Sequence, residues 1–342
     1  MPGYMLPLEA QGGYRTVTSQ QDSRQAFPRA TVTRRGVLAA GAALLAAPLQ
    51  GKGADITVGI TSNTRPDWAG GENFLKSIRE ASEVGYHWIE TFWPYVSKWE
   101  NRPEELSGIL AKLDLKMETV SNGGDMNTRF QDPTQHKEVI DDHMRLVRFI
   151  KKLDCDHLKI NCGPANPGGN NPAIYRNMAA AFNELGRRIS DMGIKFGVHH
   201  HLWNQYEKRE DVDAIMELTD PRHVHMILDT GHTTMAGMDA LRLTRDYVSR
   251  IIEFHMKDCA PEHRGGYKGP YMPAGSVNTN KDNLIFFPLG KGGVDFPGIK
   301  QELDAIGWKG WMTVELDMTA TTAKDSSAVS KKYLEEKLGL TV

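Results

Sequence analysis

Short apolar runs alternate with segments of helical periodicity from residue 55 to the end of the chain. A strand that is covered on both faces is continuously apolar, so these runs predict buried parallel strands. Apolar positions three and four residues apart predict helices between them. The predicted strands are Ile56–Ile60, Trp88–Phe92, Lys116–Val120, His157–Ile160, Lys195–Val198, Met226–Leu228, Ile251–Phe254 and Trp311–Val314. The predicted helices are Phe74–Glu83, Pro103–Leu113, Pro133–Leu153, Pro172–Met192, Val212–Leu218, Asp239–Tyr247, Phe296–Ile306 and Ser326–Leu338.

The regular alternation of strand and helix predicts an α/β fold, a (β/α)8 TIM barrel. The alternative is a doubly wound open sheet, which would normally place a glycine-rich nucleotide-binding turn after the first strand. That position reads Thr61-Ser-Asn-Thr-Arg-Pro66, without glycine. We therefore expect residues 54–342 to form one TIM-barrel catalytic domain.

The first 53 residues follow a different pattern. Thr33-Arg-Arg-Gly-Val-Leu38 precedes a weakly apolar, alanine-rich run from Ala39 to Leu49. A basic region followed by a short apolar region is typical of a signal peptide, and the paired arginines resemble a twin-arginine signal. Residues 1–53 are predicted to be this signal and a linker, with export to the periplasm and cleavage between Ala46 and Ala54. A mitochondrial-type presequence and a chance alanine-rich helix are the alternatives, and the run is too short for a stable membrane anchor.

The charge of the chain argues against binding to nucleic acid. Five arginines lie in the first 35 residues, and without that segment the chain has 36 basic and 41 acidic residues. A mildly acidic body lacks the clustered basic surface that a phosphate backbone requires.

Three cysteines, Cys155, Cys162 and Cys259, are scattered along the chain. An odd number at irregular spacing is not a disulfide framework. We expect buried free thiols, and a disulfide between Cys155 and Cys162 is the alternative.

Four of the predicted strands end in side chains that bind metals. His199, Asp229, His255 and Glu315 follow the fifth, sixth, seventh and eighth strands. Because the carboxyl ends of parallel barrel strands meet at one face, these side chains are expected to converge. Imidazole and carboxylate together are a ligand set for Mn²⁺, Co²⁺, Zn²⁺ or Fe²⁺. We predict a divalent metal site and prefer Mn²⁺.

The connection from Cys259 to Val294 is much longer than the others. A loop of this length in a compact domain is usually a lid or a binding element. Tyr267, Tyr271, Phe286 and Phe287 are the aromatic residues that it offers to a substrate. The alternative is a contact between the subunits of a homo-oligomer.

Several motifs at these strand ends resemble the xylose-isomerase-like barrels, which include sugar isomerases, epimerases and inosose dehydratases. They are Leu228-Asp-Thr-Gly-His232, Phe254-His-Met-Lys-Asp258, Gly290-Lys-Gly-Gly-Val-Asp-Phe296 and Val314-Glu315. The resemblance implies a metal held by Glu, Asp, His and Glu at the ends of strands five to eight. His199 departs from that pattern, because the family usually has a glutamate there. The run Val198-His-His-His201 is similar to that of the inosose dehydratases.

The resemblance implies a metal-dependent sugar isomerase or epimerase that removes a proton next to a carbonyl. His201 and Glu315 are the candidate bases, and Lys257 is expected to stabilise the developing charge or, alternatively, to form a barrel ion pair. The same first step also serves a lyase or dehydratase acting on keto-inositols or 3-keto-glycosides. The expected substrate contacts at the mouth of the barrel are Glu90, Trp93, Asn161, Trp203 and His232. Asp258 and His232 are expected to orient the metal ligands. No phosphate-binding turn stands out, so a neutral sugar is the default substrate.

Two other classes fit the sequence less well. A DNA-repair endonuclease of this superfamily would need further metal ligands after strands two and three, where Trp93 and Ser121-Asn122 stand. The other class is a sugar-binding or structural protein without activity, and the intact set of Asp229, His255 and Glu315 argues against it. We therefore expect a carbohydrate substrate and no nucleic-acid partner.

Overall fold

A computed structural model describes residues 53–124, 126–269 and 284–342. The predicted signal and linker, up to residue 52, and Tyr271 of the long loop lie outside the described residues. Within the described ranges, no helix is long and apolar enough to cross a membrane.

Eight parallel strands form a closed barrel in the order β1-β10-β7-β6-β5-β4-β3-β2. This confirms the predicted TIM barrel, and every predicted strand overlaps an observed one. The barrel strands are β1 (Asp55–Thr61), β2 (Trp88–Phe92), β3 (Lys116–Ser121), β4 (His157–Ile160), β5 (Lys195–His199), β6 (His225–Asp229), β7 (Ile251–Met256) and β10 (Lys309–Val314). Two further short strands, β8 (Asp258–Cys259) and β9 (Phe286–Phe287), pair with each other in antiparallel fashion.

Helices surround the barrel, and every predicted helix overlaps an observed one. The helices predicted from Val212 and Ser326 each begin three residues earlier, at Arg209 and Ala323. The helix predicted from Pro133 begins at His136, because the Asp132 carboxylate accepts the Thr134 N–H and holds that stretch in a turn. Two short helices directly after strands β2 and β6 were not predicted. The helices are α1 (Phe74–Val84), α2 (Trp93–Val96), α3 (Pro103–Ala111), α4 (His136–Lys152), α5 (Pro172–Ser190), α6 (Arg209–Leu218), α7 (Thr230–Met235), α8 (Ala240–Tyr247), α9 (Phe296–Ile306) and α10 (Ala323–Leu338). Short 3-10 turns occupy Ser97–Trp99 and Pro261–His263.

The interior of the barrel is polar beneath its carboxyl-end face. Thr313 of β10 donates to Glu118 of β3 at 2.7 Å, and His157 of β4 contacts Glu253 of β7 at 2.8 Å. These strands are not neighbours, so the side chains meet across the barrel. All four residues are fully buried. The main apolar core therefore lies between the sheet and its helices, where each strand presents its other face.

The base of the long loop is fixed by Asp258. Its carboxylate accepts the backbone N–H groups of Gly290, Gly292 and Val294 at 2.9, 2.9 and 3.0 Å. A Cβ atom on Gly292 would lie 2.4 Å from the Asp258 carboxylate, so the close approach requires glycine. Asp258 thus holds the two ends of the loop together. The sequence had suggested a different role, that of orienting a metal ligand.

The three cysteines are buried and free. This confirms the expected thiols and makes the disulfide between Cys155 and Cys162 wrong. Burial raises the pKa of the Cys259 thiol to about 12, so it stays protonated at neutral pH.

Candidate metal centre and substrate cavity

The four predicted metal ligands converge at the carboxyl-end face of the barrel. One ligand atom from each of His199, Asp229, His255 and Glu315 lies within 4.8 Å of every other. All four residues are buried, with at most 5% of their surface exposed. Residues that are remote along the chain are thus brought together by the barrel strands on which they end.

His199, at the end of β5, is oriented by Asn161. Nδ1 of the ring lies 2.8 Å from Oδ1 of the Asn161 side chain. The amide oxygen only accepts, so Nδ1 carries the proton and Nε2 has a free lone pair. Nε2 is buried, has no hydrogen-bond partner among the described residues, and lies 3.6 Å from Oδ2 of Asp229. Burial lowers the pKa of His199 well below its usual value, with Lys159 adding to the effect, so the ring is neutral.

Asp229, at the end of β6, uses one carboxylate oxygen to begin helix α7. Oδ1 accepts the backbone N–H of His232 at 2.8 Å, as a helix N-cap does. Oδ2 has no hydrogen-bond partner among the described residues. Burial raises the pKa of Asp229 to about 7, although the nearby charge of Lys257 opposes the shift. The free oxygen therefore faces the ligand atoms of the other three residues.

His255, in β7, has carboxylates on both sides of its ring. Nδ1 contacts Glu315, and Nε2 lies 3.0 Å from Oε2 of Glu90. A carboxylate behind a ligating histidine fixes the ring and raises its basicity. Glu90 is itself fully buried and paired with Lys159. Glu90 lies behind His255 and does not line the cavity. It is therefore placed to hold the His255 ring and not to contact a substrate.

Lys257 lies among three carboxylates. Its Nζ is 2.7 Å from Asp317, 3.4 Å from Glu315 and 3.7 Å from Asp229. Burial alone would raise the pKa of Glu315, but Lys257 and His255 hold it well below its usual value. Lys257 thus forms the ion pairs that were the alternative prediction for this residue. Lys257 is 1% exposed and does not line the cavity, so it acts on a substrate only through these neighbours.

The residues fit a divalent cation. Ligand atoms about 2.0–2.2 Å from one ion lie roughly 3 to 4.4 Å apart, close to the spacing of these four atoms. Nε2 of His199 and Oδ2 of Asp229 are buried and have no hydrogen-bond partner among the described residues. Buried polar atoms are normally paired, so these two atoms are suited to bind an ion. Two imidazoles and two carboxylates suit Mn²⁺, Fe²⁺, Co²⁺ and Zn²⁺ alike.

A cavity of about 430 Å³ opens above this centre. Six of the predicted site residues line it: Asn161, His199, His201, Trp203, His232 and Glu315. Trp93 does not. It begins helix α2 and turns away from the mouth, packing on Phe149 with a ring separation of 5.4 Å. Trp93 therefore packs in the core, and the described cavity gives it no contact with a substrate.

His201 and His232 stack on each other at the cavity wall, with ring centroids 3.8 Å apart. Nδ1 of His201 donates to the Leu202 carbonyl at 2.7 Å, which leaves Nε2 without a proton in the neutral ring. Burial lowers the pKa of His201, and Lys257 lowers it further. Nε2 of His232 is 3.2 Å from the Lys257 ammonium, so it accepts and Nδ1 is the donor. The pair thus offers one proton acceptor, Nε2 of His201. Nδ1 of His232 is buried and has no hydrogen-bond partner among the described residues.

The long loop contributes one wall of the cavity. Leu284, Ile285 and Phe286 line it, and the Phe286 ring lies edge-on to His232 at 5.0 Å. Tyr267 packs against Trp203 at 5.5 Å. The described parts of the loop therefore form part of the cavity wall, and their role as a binding element stays a prediction.

Sequence reasoning missed Lys159 and Arg65, which also line the cavity. In β4 the alternation His157-Leu-Lys-Ile-Asn161 was a usable signal, because residues two apart share a face and Asn161 was already placed at the mouth. Lys159 is 1% exposed and reaches Glu90, with its Nζ 3.3 Å from Nε2 of His255. Arg65 follows β1, in the stretch Thr61–Pro66. That stretch argued against a nucleotide-binding turn, but it gave no sign of a residue at the cavity.

Known proteins match the chain over most of the barrel. The family described as xylose isomerase-like TIM barrel matches residues 78–333. The inosose dehydratase of Clostridium perfringens is 29% identical over 172 residues, 50% of this chain and 57% of that protein, so this match spans little more than half of the relative. The inosose dehydratase of Lacticaseibacillus casei is 23% identical over 294 residues, 83% of this chain and 96% of that protein. The solved structure of an L-ribulose 3-epimerase superposes with a TM-score of 0.64 at 15% identity, covering 83% of this chain and 95% of the other.

The family match covers residues from helix α1 to helix α10, and the closed barrel agrees with it. The likeness to the epimerase structure supports the same fold. The chain belongs to the xylose isomerase-like TIM barrel family.

Proposed function

We propose that this protein is a metal-dependent enzyme that removes a proton from the carbon next to the carbonyl of a keto-sugar. Members of its family are sugar-modifying enzymes. The observation that carries the proposal is the four-residue ligand set at the floor of a cavity whose wall holds the deprotonated Nε2 of His201. A site built only to bind sugar has no need of a buried, unpartnered imidazole nitrogen beside a buried carboxylate.

The residues divide the work in a definite way. A divalent cation held by His199, Asp229, His255 and Glu315 would polarise a carbonyl oxygen and acidify the neighbouring C–H bond. His201 is the better-placed base, because its lowered pKa keeps the imidazole unprotonated at neutral pH and its side chain lines the cavity. Glu315 keeps its charge beside Lys257, which makes it a ligand and a weaker base. Lys159, whose pKa is raised, supplies a fixed positive charge at the cavity wall.

Elimination is the outcome that the site favours. Epimerisation needs an acid and a base on opposite faces of the sugar, and His199 replaces one of the two carboxylates that family epimerases use for this purpose. Two inosose dehydratases are among the relatives described above. In an elimination, His201 takes the proton from the α-carbon and returns it to the hydroxyl that leaves the β-carbon. One C–H bond and one C–O bond break, a C=C bond forms, and water departs.

Isomerisation or epimerisation is the second candidate. Glu315 and His201 line the same cavity, so two proton-transfer groups are within reach of one substrate. Return of the proton to the neighbouring carbon or to the other face would then complete the reaction without loss of water.

The experiment that tests the proposal uses D₂O. The full chain, loaded with Mn²⁺, is incubated with a 3-keto-glucoside or a keto-inositol and followed by NMR. Appearance of an enone supports elimination, whereas deuterium at the α-carbon without a new double bond supports isomerisation or epimerisation. Neither signal from either sugar, in a sample shown to contain bound metal, would reject the proposed reaction.

A further inference from the structure

Arg65 stands on the wall of the cavity, in the connection between β1 and α1. Its backbone is held on both sides by the segment after β10. The Arg65 N–H donates to the Asp317 carbonyl at 2.9 Å, and the Thr319 N–H donates to the Arg65 carbonyl at 3.0 Å. These two bonds fix the position from which the half-buried side chain reaches into the cavity.

The described charges around the cavity are paired with one another, and Arg65 is not among the pairs. Four lining residues carry a formal charge apart from the histidines: Arg65, Lys159, Glu315 and Asp317. Lys159 is paired with Glu90, and both Glu315 and Asp317 are paired with Lys257. Arg65 forms no ion pair and no side-chain hydrogen bond with any residue that the structure describes. Among the described lining residues, Arg65 is thus the one charged side chain apart from the histidines that has no ion-pair partner.

Asn63, two residues earlier, adds hydrogen-bond donors to the same wall. Its amide oxygen already accepts the hydroxyl of Tyr95 at 2.8 Å. Because the oxygen is already engaged, the NH₂ group is the part of the side chain that remains to donate to a ligand. A guanidinium and an amide donor on one cavity wall are a good receptor for an oxyanion, because the guanidinium fork binds two oxygens at once.

We propose that Arg65 selects a sugar that carries an oxyanion, a carboxylate or a phosphate, on the part of the molecule that points away from the metal ligands. A neutral sugar, the default substrate from the sequence, would leave the guanidinium without a charged partner. This proposal rests on the proposed function, which places the carbonyl end of the sugar at the metal ligands. It adds the class of substrate, an acidic sugar.

Binding without turnover tests this selection. Dissociation constants are measured by calorimetry or by NMR titration for the manganese-loaded full chain with three probes: methyl β-D-glucopyranosiduronate, D-glucose 6-phosphate and methyl β-D-glucopyranoside. A hydrogen bond to a charged group contributes about 1.5–3 kcal/mol, so at least one anion is expected to bind about tenfold or more tightly than the neutral glycoside. Whichever anion binds more tightly identifies the oxyanion as carboxylate or phosphate.

Two variants assign the preference to one side chain. Arg65→Gln should remove the preference for the anion, and Arg65→Lys should retain only part of it because the fork is lost. Arg102→Gln is the matched control, since Arg102 is an exposed arginine outside the cavity that pairs with Glu105, and it should leave the preference unchanged. Unaltered manganese affinity shows that each variant is folded.

Equal or undetectable binding of all three probes by the parent protein would overturn the proposal, as would a preference that persists in Arg65→Gln. The result is separate from the reaction. An anion preference together with no deuterium exchange would keep Arg65 as the selecting residue and reject the proposed proton transfer.

Discussion

Oδ1 of Asn161 accepts the Nδ1 proton of His199 at 2.8 Å, and this bond decides which nitrogen of His199 is free for a metal. Asn161 is held in turn by Asn122, whose Oδ1 accepts the Asn161 backbone N–H at 2.8 Å. Nε2 of His143 lies 3.1 Å from the Asn122 amide nitrogen. A chain of hydrogen bonds thus runs from helix α4 through β3 and β4 to the ligand at the end of β5.

Removing the first partner should weaken metal binding. In Asn161→Ala we expect the affinity for Mn²⁺ to fall by about 10- to 100-fold, because His199 loses the bond that fixes its tautomer and ring orientation. Isothermal titration calorimetry of the metal-free protein measures this directly. Asn177→Ala is the control, since the one side-chain bond of Asn177 within the described residues goes to the Gln131 carbonyl, away from the metal ligands. Equal manganese affinity in both variants would contradict the role given to Asn161.

His199 and His201 are two residues apart and should respond differently to the same substitution. His199→Ala removes a ligand and should lose bound metal, whereas His201→Ala should keep the metal and lose rate. Metal content is measured by plasma mass spectrometry after dialysis, and rate by solvent-deuterium exchange. Loss of metal in His201→Ala, or full activity in His199→Ala, would reverse the assignment.

The strands and the ligand residues could be predicted because each depends on a local signal. An apolar run predicts a buried strand, and a polar residue at its carboxyl end points to the mouth of a barrel. The depth of a side chain was not predictable, since it depends on the register between strands. The register between β2 and β3 shifts between Ile89 and Glu90, and Glu90 lies beneath the cavity as a partner of His255. Trp93 was misplaced for a related reason, because an unpredicted helix turns it back onto Phe149.

The same limit applies to pairs that meet across the barrel. Nothing in the neighbourhood of Lys159 indicates that its partner is Glu90, or that Lys257 lies against Asp317. Such pairs are set only when the sheet closes. The sequence therefore predicts which residues have a role at this face more readily than it predicts which of them touch the substrate.

Lys257 should stabilise the metal-free protein. In Lys257→Met the buried carboxylates of Asp229 and Glu315 and the partly exposed carboxylate of Asp317 lose their shared cation, and breaking a buried ion pair costs about 3–5 kcal/mol. We expect a loss of unfolding free energy of this order in EDTA, measured by urea denaturation, and a smaller loss with Mn²⁺. Lys137→Met, which removes an exposed pair with Asp141, should have little effect under either condition. An equal loss with and without metal would show that Lys257 does not balance these charges.

The paired arginines before the alanine-rich run should direct export. Arg34→Lys with Arg35→Lys keeps the charge of the segment and removes the guanidinium pair, so the protein should remain in the cytoplasm of a host with the twin-arginine pathway. Fractionation followed by immunoblotting measures the distribution. Arg24→Lys with Arg29→Lys is the matched control, because these arginines lie in the same segment but outside the motif. Export of the Arg34 and Arg35 double variant at the parent level would contradict the predicted signal.

His143 should make stability depend on pH. Nδ1 donates to the Val139 carbonyl at 2.8 Å and Nε2 accepts from Asn122, so the buried neutral ring is fully paired. Burial lowers the pKa of His143 below its usual 6.5. The unfolded chain therefore binds a proton at a higher pH than the folded chain does, and the unfolding free energy should fall as the pH drops below about 6.5. Above that pH both states are unprotonated and the contribution is constant.

The variant His143→Gln isolates this effect, because the other buried histidines are common to both proteins. Urea denaturation from pH 7.5 to pH 5 in EDTA should show a steeper loss of unfolding free energy in the parent than in the variant. The protonated ring can no longer accept from Asn122, which also holds Asn161. Manganese affinity should therefore fall more steeply with acid in the parent than in His143→Gln. Parallel pH profiles for both quantities would show that the proton on His143 is coupled neither to folding nor to the metal ligands.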